Sequence, residues 1–233
     1  MSEFDAFPAD YFNQSGLNRQ HVFDLAELPI AVQEKFAPLP DERQLILFGH
    51  GGRRLWEAVQ ASGVGGQDPI DEYSTQTISH WFASHAPDRH YRILYPGDQP
   101  IALQSLGQLA GWHHAAPFMV GIDSEWGSWF AYRAVVISDT NFQPNLAVDR
   151  NNPCLTCAAK PCIAACPAAA MADGKFALSP CLNYRQQGDS SCAHTCLARL
   201  ACPIAPEHRY TAEQMRHSYS RSLKLIRELK MHR

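Results

Sequence analysis

The chain has 233 residues, 45% apolar and 18% charged, a balance that fills a core and excludes a disordered polypeptide. That length allows one large domain, or two with one of them small. A net charge of −3 gives no global drive toward nucleic acid or anionic membranes.

The N-terminus, MSEFDAFPADYFNQ, is acidic and polar, with no positive n-region, apolar h-region or twin-arginine signal. No apolar stretch approaches the ~18 residues of a membrane helix, so a soluble, cytoplasmic protein is expected. In DERQLILFGHGGRRLWEAVQ, Leu45 to Phe48 form a short buried-strand run. Gly49, Gly51 and Gly52 then make a turn, and Arg53 to Ala61 are helical. A strand, a glycine turn and a helix in that order can cradle an anion. GHGG matches neither the phosphate-loop nor the dinucleotide pattern, however, and a plain turn is expected. SGVGGQDPID reads as a loop, and STQTISHWFASHA as a helix with Ile78, Trp81 and Phe82 on one side. HYRILYP is a strand stopped by Pro96, and PIALQSLGQLAG an amphipathic helix ended by Gly111. FAYRAVVIS, residues 130 to 138, is a third strand, rich in β-branched and aromatic side chains. Alternating strands and helices imply an α/β layer.

The texture changes at DTNFQPNLAVDRNNP, a polar linker, which places a boundary near residue 145. The expected organisation is an α/β cofactor- or partner-binding domain over 1–145, a cysteine-rich domain over 146–206 and a helix over 207–233. In the last segment Met215, Tyr219, Leu223 and Ile226 lie roughly along one stripe, and from Arg209 onward seven Lys/Arg face two Glu. A solvated helix docking by its apolar stripe is expected; a basic arm for RNA or an acidic redox partner is the sharper alternative.

All eight cysteines fall between Cys154 and Cys202. A disulfide scaffold spreads its cysteines through a short secreted chain, so crowded thiols behind an ordinary region point to metal instead. The spacings are Cys154-x2-Cys157-x4-Cys162-x3-Cys166-Pro167, then Cys181, then Cys192-x3-Cys196-x5-Cys202-Pro203. In two-cluster ferredoxins the cysteine before proline ligates the other cluster, so two half-motifs exchange one ligand each. That logic assigns Cys154, Cys157, Cys162 and Cys202 to one [4Fe–4S] cluster and Cys166, Cys181, Cys192 and Cys196 to the other. The x4, x3 and x5 spacings depart from the strict motif. Ala158, Ala159, Ala164, Ala165, Ala168 and Ala169 let backbone N–H groups approach cluster sulfur. Structural zinc is the alternative, but it favours paired C-x2-C knuckles, and only Cys154 and Cys157 form one.

PIALQSLGQLAGWHHAAPFMVGIDSEWGSWFAYRAVVISD, with the cysteine set behind it, resembles the epoxyqueuosine reductases, cobalamin-dependent iron–sulfur enzymes related to reductive dehalogenases. Ala110, Gly111 and Trp112 match that family's turn after a helix, and Gly127, Ser128, Trp129 and Phe130 match its strand start. Cys181, Leu182, Asn183 and Tyr184 match its later signature, and the resemblance spans roughly residues 45 to 205. It implies a nitroreductase-like, cobalamin-processing α/β domain followed by a two-cluster ferredoxin-like module. The implied chemistry is cobalt reduction by the clusters, with the corrinoid acting on a small-molecule or tRNA-derived substrate. Three departures accompany it. The family's proton-donating Asp aligns with Gly97, with Asp98 one position late; the AGWHH turn is two residues short; and the family's C-terminal helical repeats are not matched. The expectation is therefore a relative of the reductases.

Among other candidates, His113 and His114 can be metal or cobalt ligands, but partly exposed loop histidines are expected there, and equally at His50. Trp126 and Trp129 can line a flat cofactor, with core packing the expectation for Trp129. Asp98 and Asp123 are expected to be solvated turn residues unless buried, when either can donate a proton. Arg133, inside an apolar strand, requires an anionic partner, a carboxylate before a ligand phosphate. The functional expectation is a two-cluster redox protein feeding electrons to a site on the N-terminal domain. A non-catalytic electron-transfer protein docking a redox partner is the alternative.

Overall fold

The computed structural model describes residues 4–148, 151–172 and 174–231. Met1 to Glu3, Asp149 and Arg150 of the linker, and His232 and Arg233 of the basic segment lie outside the described residues. The chain forms two compact units: Met1–Ala110 with Phe130–Val148, and Gly111–Trp129 with Asp149–Arg233. By contact, Gly111–Trp129 belongs with the cysteine segment although it precedes residue 145.

The first unit is built on an antiparallel sheet of β1 (Arg19–Asp24), β2 (Gln44–Gly51), β3 (Tyr91–Tyr95) and β4 (Phe130–Ser138), in the order β1-β2-β4-β3. The sheet follows α1 (Ala9–Gln14) and interleaves with α2 (Ile30–Gln33), α3 (Arg54–Ser62), α4 (Pro69–His85) and α5 (Leu103–Leu109). Every residue of β2 is buried, because a central strand is covered on both faces. Leu45 pairs with Ile137 and Leu47 with Val135, and a bulge between Phe48 and Gly49 lets the β2 and β4 ladder run on to Gly51. Ile46, Phe48, Ala134 and Val136 form one core with Leu55 and Trp56 of α3 and Ile78, Trp81 and Phe82 of α4.

Two local expectations change. The loop expected over SGVGGQDPID ends early, since α4 begins at Pro69, a residue suited to the first helical position, with Asp71 and Glu72 in the first turn facing the positive end of the helix dipole. His50 belongs to β2 instead of the turn and is 1% exposed; its Nδ1 accepts a 2.9 Å hydrogen bond from Arg133 Nε. The carboxylate expected for Arg133 is Asp71, with Nη1 3.7 Å from Oδ1.

The second unit consists of short helices and loops: α6 (Pro161–Ala164), α7 (Leu178–Arg185), α8 (Leu197–Leu200) and the long α9 (Ala212–Met231). Its core joins Phe118 and Ile122 to Met171, Ala198, Cys162 and Cys202, which explains why Gly111–Trp129 packs with the cysteines. Met215 and Leu223 of α9 are buried while Arg216, Lys224 and Arg227 are exposed, so the helix docks by the expected stripe.

Candidate metal centre

The two cysteine-proline half-motifs fold alike. Cys162 lies on α6 and Cys166 follows its end; Cys196 precedes α8 and Cys202 follows its end. The helices pack on one another, and each half turns through a left-handed alanine three residues after its Cys-Pro cysteine, Ala169 at φ 48° and Ala205 at φ 47°. A non-glycine residue held there costs about 1 kcal/mol and persists only where surroundings fix it.

The thiols sort into two sets. Burial pushes the Cys154 thiol up to about 11, with Cys202, Cys162 and Cys157 pushing the same way and Lys160 opposing. Cys162 is raised by burial and then by Cys202, and Cys202 by burial and, among its neighbours, by Cys157. Cys181 is raised by burial and then by Cys196, with Cys166 and Cys192 adding to it and Arg185 opposing. Burial also raises Cys196, which Cys192 pushes further. The partners that raise Cys154, Cys162 and Cys202 thus come from Cys154, Cys157, Cys162 and Cys202, and those that raise Cys181 and Cys196 from Cys166, Cys181, Cys192 and Cys196.

The second set shares a space. A cavity of about 280 Å³ is lined by Cys166, Cys181, Cys192 and Cys196 together with Phe118, Met171 and Phe176 on its apolar side. Arg185, Arg199 and Tyr219 complete the wall. Tyr219, on α9, hydrogen-bonds the Cys196 sulfur and the Arg199 side chain, and burial pushes its hydroxyl up to about 12. Among the described residues no three His, Cys, Asp or Glu side chains meet closely enough to hold a single metal ion, and no disulfide joins any of the eight cysteines. The second-set thiols surround a cavity instead of converging on one point. Four thiol sulfurs around a partly open, largely apolar space suit a polynuclear iron–sulfur group, with backbone and side-chain donors at the edge.

The remaining candidates stand elsewhere. His114 exchanges two backbone hydrogen bonds with Ile122, each 3.0 Å, and both it and His113 are half-buried. Burial lowers the His113 pKa, and His114 lowers it further. Asp123 is not solvated: it is 0% exposed, and its Oδ1 accepts from the N–H groups of Glu125 (2.9 Å) and Trp126 (2.6 Å), shaping the turn into Gly127. Asp98 is exposed, as expected. Trp129 is fully buried against Tyr210, whereas half-buried Trp126 lies 4.3 Å from the His208 ring. The sequence alone does not single out Arg185 or Arg199, and it places Tyr219 only on the apolar stripe of the last helix. Their one local signal is that the two arginines sit four residues after Cys181 and three after Cys196, one helical turn away. On the first unit, His50, Asp71, Tyr95 and Arg133 form a polar constellation. Burial, more than Arg133 offsets, raises the Asp71 carboxyl, and burial then Asp71 raise the Tyr95 hydroxyl.

No family model matches the chain, and no curated protein matches it in sequence. Three solved structures of epoxyqueuosine reductase share its fold. One, holding a tRNA-Tyr epoxyqueuosine-modified stem loop, is 12% identical with a TM-score of 0.53, over 89% of this chain and 67% of that one. A second, from Bacillus subtilis with its catalytic loop swung out of the active site, is 13% identical with a TM-score of 0.52 over the same shares. The third, labelled with selenomethionine, is 12% identical at 0.51. The likeness expected from the turn, the strand start and the cysteine order is thus present in the backbone: the chain has the fold of the epoxyqueuosine reductases.

Proposed function

We propose that this chain is an iron–sulfur redox protein in which Cys154, Cys157, Cys162 and Cys202 hold one [4Fe–4S] cluster and Cys166, Cys181, Cys192 and Cys196 hold the other. The observation that carries this is the division of eight thiols into two sets of four, each drawing its ligands from both half-motifs. Such clusters supply one-electron transfer. The protein's share is to supply thiolates, to exclude water with Phe118, Met171 and Phe176, and to place donors at the sulfurs. A low-potential donor protein in a reducing, cytoplasmic setting suits eight thiols, and no described helix is long and apolar enough to cross a membrane.

The electrons are assigned to a site on the first unit, where reduction also needs a proton. The raised Asp71 and Tyr95 groups beside Arg133 and His50 are the described residues best placed to hold one there. The reductase fold brings cobalamin and a tRNA-derived or small-molecule substrate as candidates. The histidines of β1 and β2 offer no open cobalt ligand: His50 on β2 is bonded by Arg133, and His21 on the edge strand β1 is buried against Phe23. The exposed Asp98, in place of a buried acid, favours the second reading, a non-catalytic electron-transfer protein that docks a redox partner.

Anaerobic purification with iron, sulfide, zinc and cobalt quantified tests the proposal. About eight irons and eight sulfides per chain are expected. Stoichiometric zinc with negligible sulfide overturns it, and bound cobalt decides for the reductase over the electron carrier.

A further inference from the structure

Two arginines of the second unit are buried. Arg185, the last residue of α7, is 7% exposed and donates to the carbonyls of Cys192 (3.3 Å), Ala193 (3.5 Å) and Tyr219 (2.9 Å) and to Ser222 Oγ (3.0 Å). Arg199, on α8, is 6% exposed. Its guanidinium lies 4.6 Å from the Trp129 ring centroid and 4.8 Å from that of Tyr210, and it donates to the hydroxyl and carbonyl of Ser128. Among the described residues neither has a carboxylate within ion-pair distance. Carbonyls, hydroxyls and ring faces orient a guanidinium but do not neutralise it, and a cation buried without a balancing anion is strongly destabilising.

Both cations line the one cavity that Cys166, Cys181, Cys192 and Cys196 surround. Among the described residues the first set has no equally buried cation: its basic neighbours there are Lys160, which is exposed, and Arg209, which is half-buried and donates to the Cys202 carbonyl at 3.1 Å. The balancing charge at the second set comes from its thiolates, which Arg185 and Arg199 favour at Cys181 and Cys196, and from an anionic group held between them. A thiolate-held cubane gains one further negative charge on reduction. A buried cation interacts more strongly with that added charge than an exposed one, because less water screens it.

We propose that Arg185 and Arg199 make the cluster of Cys166, Cys181, Cys192 and Cys196 the easier of the two to reduce, so that electrons collect there. This rests on the two-cluster function proposed above. With both clusters bound, one electron would pass from the reduced one held by Cys154, Cys157, Cys162 and Cys202 to the oxidised one held by Cys166, Cys181, Cys192 and Cys196, the first being oxidised as the second is reduced with no bond broken. The electron comes originally from a one-electron donor, dithionite in vitro. The two arginines bind no substrate and transfer no electron; they set the potential of the cluster they face.

An EPR-monitored redox titration of the full chain, purified anaerobically, tests this. Two one-electron waves are expected, the higher of which is lost in Cys181→Ser and the lower in Cys157→Ser. Arg185→Gln and Arg199→Gln each move the higher wave down by at least tenfold in the reduced-to-oxidised ratio, about 59 mV for one electron. Arg185→Lys and Arg199→Lys hold it near its original place, and Lys160→Gln shifts it by less than threefold. Should the glutamine proteins fail to load, Ser222→Asp decides. It sets a carboxylate beside Arg185 without removing the arginine, and it lowers the same wave. Loaded variants with unmoved waves, or movement of the wave that Cys157→Ser abolishes, overturn the inference. Absence of iron and sulfide from the unmodified protein overturns the cluster assignment instead.

Discussion

Cys202→Ser separates the exchanged arrangement from a sequential one. Cys202 closes the second half-motif, so a sequential pairing makes its loss fall on Cys181, Cys192 and Cys196. The thiol instead responds to Cys157, and it in turn raises Cys154 and Cys162. Each set holds four thiols, so removing one leaves three, and about four of about eight irons per chain leave with it. The magnitude becomes decisive in double variants, because residues that act as one unit do not add. Cys202→Ser combined with Cys154→Ser loses about four irons, no more than either alone, whereas Cys202→Ser combined with Cys181→Ser loses about eight. Iron and sulfide content after anaerobic reconstitution, with EPR to identify the surviving signal, reads the outcome. Full loss in the Cys202–Cys154 pair, with half loss in the Cys202–Cys181 pair, refutes the exchange.

Three further outcomes follow from burial and backbone. His21 is 3% exposed, and burial lowers its pKa from 6.5 to about 4, so the unfolded chain binds the extra proton between those values. Stability from this group is complete above pH 6.5 and lost as pH falls toward 4, by about 3 kcal/mol. Denaturant titrations across that range check it, with His21→Gln flattening the slope; an equal slope in both proteins excludes the mechanism. Gly127 has φ +57°, and a Cβ there would meet the Ile204 carbonyl oxygen at 2.4 Å. Gly127→Ala therefore strains the turn by at least about 1–2 kcal/mol before any clash is counted, and a thermal midpoint equal to that of the unmodified chain contradicts the close approach. Ile78 on α4 is 0% exposed, and Ile78→Ala leaves a cavity costing about 2–5 kcal/mol, read as a lower denaturant midpoint at unchanged slope.

The first unit was legible wherever a segment carried its own period. Phe130–Ser138 is the strand expected, since its apolar and β-branched residues serve a strand buried over most of its length. β1 escaped notice because RQHVFD looks polar, yet Arg19 and His21 are among its buried residues. The Arg19 guanidinium lies 4.6 Å from the Phe130 ring centroid and His21 packs on Phe23, so aromatic contact does there what an aliphatic side chain does elsewhere. Asp123 misled for a related reason. An acid beside glycines looks solvated, and only its two N–H partners reveal that the turn folds around its carboxylate. His50 was misplaced because the bulge at Phe48/Gly49 carries the ladder past glycines that in isolation signal a turn.

The second unit shows a different limit. Ligand spacing is local chemistry, so eight cysteines and two prolines were enough to propose which thiol belongs with which. What surrounds the thiols is not local: Phe118 reaches the cavity from before the linker, and Tyr219 from the apolar stripe of a C-terminal helix rich in Lys and Arg. That helix carries two functions on opposite sides. Arg216, Lys224 and Arg227 face solvent, where their charge is screened and available to an acidic partner. Tyr219 and Ser222 face the cavity, where a hydroxyl reaches Cys196 and another receives Arg185. The helix's net positive charge is thus a poor guide to what it presents to the thiol cavity of the proposed cluster, which is uncharged hydroxyls. The cations that bear on that cluster are Arg185 and Arg199, buried in segments whose charge at first looks incidental to the cysteines beside them.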